Sequence, residues 1–134
     1  MIKYLLEMYD KAGPGDVIWA QCVRCTDFTS VVRKKILEAA GRGVRFQMII
    51  NQHSPVVGEF RTLFDPIEGA EVIEVPDNAI SLQGPSNREV VIALPGVESY
   101  TALLIRDFHC VRIVKQWFEE RLEPHHPFDG SSST

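Results

Sequence analysis

Residues 16–51, DVIWAQCVRCTDFTSVVRKKILEAAGRGVRFQMIIN, read as strand, helix, strand. Residues 17–23 are apolar on both faces, as expected of a central parallel strand covered on both sides. Thr26 or Asp27 can cap the helix, because a short side-chain oxygen accepts from an unpaired first-turn N–H. Phe28, Val31, Val32, Ile36, Ala39 and Ala40 then recur at three- and four-residue steps, a single buried stripe with Arg33, Lys34 and Glu38 outside it. Gly41 or Gly43 supplies the left-handed residue that stops the helix. Residues 44–50, VRFQMII, form the second strand. Two strands joined through a helix make a βαβ unit, with parallel strands and a right-handed crossover. The class is therefore α/β.

Outward from this unit the chain keeps alternating. GPGD at 13–16 separates the first strand from a leading amphipathic helix, in which Ile2, Leu5, Leu6 and Met8 or Tyr9 lie near one face. Downstream, SPVVGEFRTLFDPIEG holds another helix ending near Pro66, and AEVIEV at 70–75 is a third strand. AISLQGPSNREVVIALPG at 79–96 reads as a hairpin: residues 79–83, a turn at 84–87, and a return strand at 89–94. YTALLIRD is a sixth strand. The closing helix runs from Phe108 to Leu122, with Cys110, Ile113, Val114, Trp117, Phe118 and Leu122 at helical spacing. No internal repeat and no domain boundary precede the tail, so residues 1–123 are expected to form one domain. The tail 124–134 is polar, broken by proline and expected to be disordered.

Composition narrows the function classes. The 134 residues are 45% hydrophobic and 24% charged, close to the averages for soluble domains. The formal net charge is −4, which points away from direct nucleic-acid contact, since phosphates need a basic surface. No apolar run approaches the ~20 residues of a membrane span, and the start has no signal-peptide core. Three cysteines fit a reducing cytosol better than a disulfide framework.

Ligands in α/β sheets bind at the carboxyl ends of parallel strands. Two such ends are readable: CVRCTD, offering Arg24, Cys25, Thr26 and Asp27, and NQHS, offering Asn51, Gln52 and His53. They supply hydrogen-bonding groups and a cation suited to an anion or a sugar, although loops are polar in any case. Ser81 and Gln83 share one face of the hairpin at period two and can join them. His53 could act as a general base, but no partner lies beside it in sequence. Cys22 and Cys25 form a CxxC. Their side chains face opposite ways if the strand continues, the flanks lack a thioredoxin pattern, and no second pair completes a zinc site. Cys22 is then simply buried. There is no phosphate loop, no GxGxxG and no GxSxG, and no cofactor or metal is expected.

The order of elements resembles the phospholipase D-like superfamily. DVIWAQCVRCTDFTSVVRKKILEAAGRGVRFQMIIN is similar to its opening unit, LFDPIEGAEVIEVPDN to its next helix and strand, and REVVIALPG with YTALLIRDFHCVRIVKQWFEERL to its end. The likeness covers about residues 15–123 and implies a mixed β-sheet with flanking helices in the order βαβαβββ(β)α. Catalytic members carry His-x-Lys, in which the histidine forms a phospho-enzyme and the lysine stabilises the phosphoryl oxygens. That motif belongs on the strand at 79–83, where this chain has AISLQ. None of its four histidines has lysine two residues later.

The chain therefore looks more like the non-catalytic domains, including the effector-binding domains of sugar-responsive TrmB-type transcription regulators. The resemblance implies a catalytically inactive, small-molecule or sugar-sensing regulatory module, often a homodimer, with DNA binding left to a separate winged helix. The alternative is an enzyme using His53 or Cys25 in a rearranged site.

Overall fold

A computed structural model describes residues 2–22, 30–76, 80–84, 88–95 and 100–123. The elements are α1 (Ile2–Lys11), β1 (Val17–Cys22), α2 (Ser30–Gly41), β2 (Arg45–Asn51), α3 (Val57–Phe64) and β3 (Ala70–Val75). They continue with β4 (Ser81–Gly84), β5 (Val90–Pro95), β6 (Tyr100–Ile105) and α4 (Phe108–Leu122). All six strands join one sheet in the order β3-β2-β1-β4-β5-β6. β1, β2 and β3 are parallel, whereas β1–β4, β4–β5 and β5–β6 are antiparallel. The sheet is mixed and flanked by helices, as the resemblance implies. The proposed helix caps Thr26 and Asp27, the apolar Phe28 and the tail 124–134 lie outside the described residues.

β1 is apolar on both faces because both faces are covered. Ile18 and Ala20 join Phe46, Met48 and Ile50 in a core against α1, α2 and α3, where Met8, Tyr9, Ile36 and Phe64 are buried. Trp19 points the other way and packs with Ile49, Leu82 and Val90 against Val111, Phe118 and Leu122 of α4. The alternation follows from the period of two along a strand. Each layer carries aromatic contacts: Phe46 and Phe64 lie 5.5 Å apart, centroid to centroid, and Trp19 and Phe118 5.2 Å.

Two turns hold α1 and α2 at the same end of the sheet. Gly15 and Gly43 adopt φ of 83° and 89°, a region open to glycine but strained for other residues. Gly43 is thus the stop residue of α2, and Gly15 N–H donates to its carbonyl at 3.2 Å. Arg42 donates to the Tyr9 and Ala12 carbonyls, tying the end of α1 to that turn.

Three burial expectations need correction. Val31 is 52% exposed, because the buried stripe of α2 runs through Val32, Ile36 and Ala39. Val31 lies ~100° around the helix from Val32. In α4 the buried residues are Val111, Phe118 and Leu122, while Cys110 is exposed and Ile113 and Trp117 are 67% and 42% exposed. That helix has apolar residues on two sides, and only one meets the sheet. Cys22, expected to be buried, is half-buried at the end of β1.

Candidate functional site

β1, β2 and β3 all end at one edge of the sheet. The antiparallel register brings the start of β4, the end of β5 and the start of β6 to the same edge: Gln21 faces Leu82, Ser81 faces Ala93, and Pro95 faces Tyr100. From β1 the chain builds leftwards to β2 and β3, then returns to the right of β1 as β4. The gap between β1 and β4 is therefore a topological switch point, the usual place for a ligand in this class.

Gln21 lies at that point. It is 1% exposed, on the same face of the sheet as Trp19. A buried amide needs partners, because an unpaired polar group away from water costs about 1–3 kcal/mol. Both of its ends are satisfied. Nε2 donates to the Ile80 carbonyl at 2.8 Å, crossing to the segment that enters β4. Oε1 accepts from Nη1 of Arg121, in the last turn of α4. The Arg121 guanidinium carbon lies 5.2 Å from the centroid of the Trp117 ring, in cation–π range. Partial burial pushes the Arg121 pKa below its ordinary value.

The residues expected at strand ends fall in three places. Asn51 closes β2 and is half-buried, and Gln52 and His53 follow it in an exposed turn. The Gln52 backbone N–H donates to the Val75 carbonyl at 2.8 Å, and its Nε2 lies 3.2 Å from His53 Nε2. Ser54 completes the turn: its Oγ accepts from Val56 N–H at 3.3 Å and leads into α3. Ser81 and Gln83 are half-buried in β4, paired with Ala93 and Ala20 and so on the face packed by α1–α3. Ser81 is close to the site edge. Gln83 lies two residues further into the sheet, and its Oε1 is buried with no hydrogen-bond partner among the described residues. Arg24, Cys25, Thr26 and Asp27 lie outside the described residues. Among the described residues no group of three or more His, Cys, Asp or Glu could hold a metal ion.

Gln21 and Arg121 escaped the sequence reading. A glutamine inside an otherwise apolar strand was a visible signal, since such a residue must find buried partners. Arg121 gave none, being 100 residues away from Gln21 along the chain.

This fold recurs in solved structures. TrmBL2, an archaeal chromatin protein with a novel mode of DNA binding, matches with a TM-score of 0.72 and 17% identity, over 91% of this chain and 48% of that one. NucT from Helicobacter pylori matches with a TM-score of 0.67 and 14% identity, over 91% of this chain and 87% of that one. Nuc from Salmonella typhimurium, a phospholipase D family member, matches with a TM-score of 0.65 and 12% identity, over 90% and 86%. The fold is phospholipase D-like. No protein-family profile and no curated protein sequence matches the chain.

The chain spans about half the length of TrmBL2. The likeness also corrects one expectation. The net charge of −4 argued against direct nucleic-acid contact, yet a chromatin protein that binds DNA shares this fold. Net charge sums over the whole surface, whereas a phosphate-binding face needs only a local excess of cations. No helix among the described residues is long and apolar enough to cross a membrane.

Proposed function

We propose that this chain is a regulatory phospholipase D-like domain without hydrolytic activity, which binds a small molecule at the switch-point edge of its sheet. The observation that carries this is the chemistry missing at β4. Catalytic relatives need a histidine nucleophile and a lysine two residues on, but the chain enters this strand as Ile80-Ser81-Leu82-Gln83. Polar groups suited to a sugar or a small anion remain at the same edge: Asn51, Gln52, His53 and Ser81, while Arg24, Cys25, Thr26 and Asp27 follow the end of β1 in sequence. Residues 1–123 act as the unit, and the cysteine content fits a cytoplasmic setting. The sugar-sensing, transcription-linked role follows from the TrmB-type resemblance. Self-association belongs to the same reading and is measurable by light scattering.

The test has two arms. Bis-p-nitrophenyl phosphate should show no turnover; turnover abolished by His53→Ala would replace this reading with an enzyme. A thermal-shift screen of sugars and sugar phosphates should find at least one stabilising compound, whose effect Gln52→Ala removes. A screen with no hit, or a shift unchanged in Gln52→Ala, would refute a sensing site at this edge.

A further inference from the structure

We infer that Arg121 is the anchoring cation of this site and that the ligand carries an oxyanion group, carboxylate or phosphate. The inference rests on the ligand-binding reading above and specifies its chemistry. Five ion pairs join the described residues: Arg33–Glu59, Lys35–Asp10, Arg61–Asp65, Arg61–Glu74 and Arg106–Glu89. Arg121 is in none of them. Its partners are a neutral amide, Gln21, and the face of Trp117. Neither cancels its charge, although the group is partly withdrawn from water. A guanidinium in that state favours an anion, because its charge is poorly solvated and poorly screened.

The hydrogen-bond inventory agrees. A guanidinium has five N–H donors in a planar fork, and Gln21 takes one. The remaining donors suit the two-oxygen edge of a carboxylate or phosphate. A cation near a helix C-terminus also interacts favourably with the last carbonyls, and this alone can place an arginine in the final turn of α4. It does not explain why the side chain reaches a fully buried glutamine at the carboxyl end of β1. Gln21 fixes the guanidinium on one side and the backbone entering β4 on the other, so the cation is held at the switch point rather than swinging in solvent.

The experiment uses the full chain, with inorganic phosphate and tricarballylate as separate probes at constant ionic strength. Thermal shift gives stability, and NMR observation of arginine Nε–Hε signals gives site occupancy. The expected result is saturable stabilisation by at least one probe and a saturable shift of the Arg121 signal. In Arg121→Gln, which keeps a donor for Gln21 but removes the charge, affinity should fall at least ten-fold. Arg112→Gln, at an exposed arginine of the same helix, should leave it unchanged. The probe that binds identifies the oxyanion as phosphate or carboxylate.

If neither probe binds, or Arg121→Gln binds as tightly, or Arg112→Gln weakens binding equally, the inference is overturned. If Arg121→Gln does not fold, the wild-type Arg121 signal decides alone: no shift on saturation refutes the assignment. A neutral compound that stabilises the wild type and fails with Gln52→Ala, with no response to either oxyanion, would refute the oxyanion while sparing the sensing site.

Discussion

Gly84 of β4 faces Trp19 of β1, and the indole occupies the space that a β-carbon on Gly84 would need. The nearest atoms to such a carbon are Cε2, Nε1 and Cδ2 of the ring, all far inside any real contact distance. Trp19 cannot easily retreat, because Phe118 of α4 packs against it. The central layer of the fold therefore depends on one absent side chain.

Gly84→Ala should destabilise the domain by about 1–3 kcal/mol, the usual cost of overpacking a filled core. Urea denaturation checks this. The penalty should shrink in a Trp19→Leu background, where the ring is gone. Equal penalties in both backgrounds would show that the clash with Trp19 is not its cause.

Gln21→Met keeps the volume but removes both hydrogen bonds. The Ile80 carbonyl loses its donor and Arg121 its acceptor, so stability should fall by about 1–3 kcal/mol. An unchanged urea midpoint would mean that water replaces the amide at little cost.

Asp107 caps α4, its carboxylate accepting from Cys110 N–H at 3.0 Å. The backbone hydrogen bond from Cys110, and then the bond to its side chain, hold the Asp107 pKa below its ordinary 3.8. A depressed folded-state pKa stabilises the fold above the unfolded value, and the contribution disappears as pH falls through the folded one. The Tm of Asp107→Ala should therefore lie below that of wild type near neutrality, and the two should converge as pH drops below 3.8. A gap unchanged in acid would remove the carboxylate from the cap. The same hydrogen bond and charge push the Cys110 thiol pKa up. Alkylation of Cys110, followed by site-resolved mass spectrometry at mildly alkaline pH, should be faster in Asp107→Asn.

The chain has two tryptophans in opposite environments: Trp19 is fully buried and Trp117 is 42% exposed. Iodide quenching of fluorescence should show one accessible and one protected population. Trp117→Phe should remove the accessible one and change stability much less than Trp19→Phe, because only Trp19 fills the core.

Much of this was legible from local pattern. AEVIEV is β3 and residues 108–122 are α4, because apolar periodicity reports directly on the local backbone. The strand-end residues Asn51, Gln52 and His53 were legible for the same reason: parallel strands place their carboxyl ends together. The burial of α4 was harder to see. Cys110, Ile113 and Trp117 repeat at helical spacing as regularly as Val111, Phe118 and Leu122 do, and periodicity cannot say which of two apolar sides meets the sheet.

The sequence by itself determined the class, the order of elements and the missing His-x-Lys at β4, since these depend on residues close in the chain. Tertiary structure alone decided which apolar side of α4 is buried, why Gly84 has no side chain, and how Gln21 comes to join Ile80 and Arg121. The physical reason is that these contacts link residues 59 to 100 positions apart, and only the closed sheet with α4 laid across it brings them within hydrogen-bonding or van der Waals range.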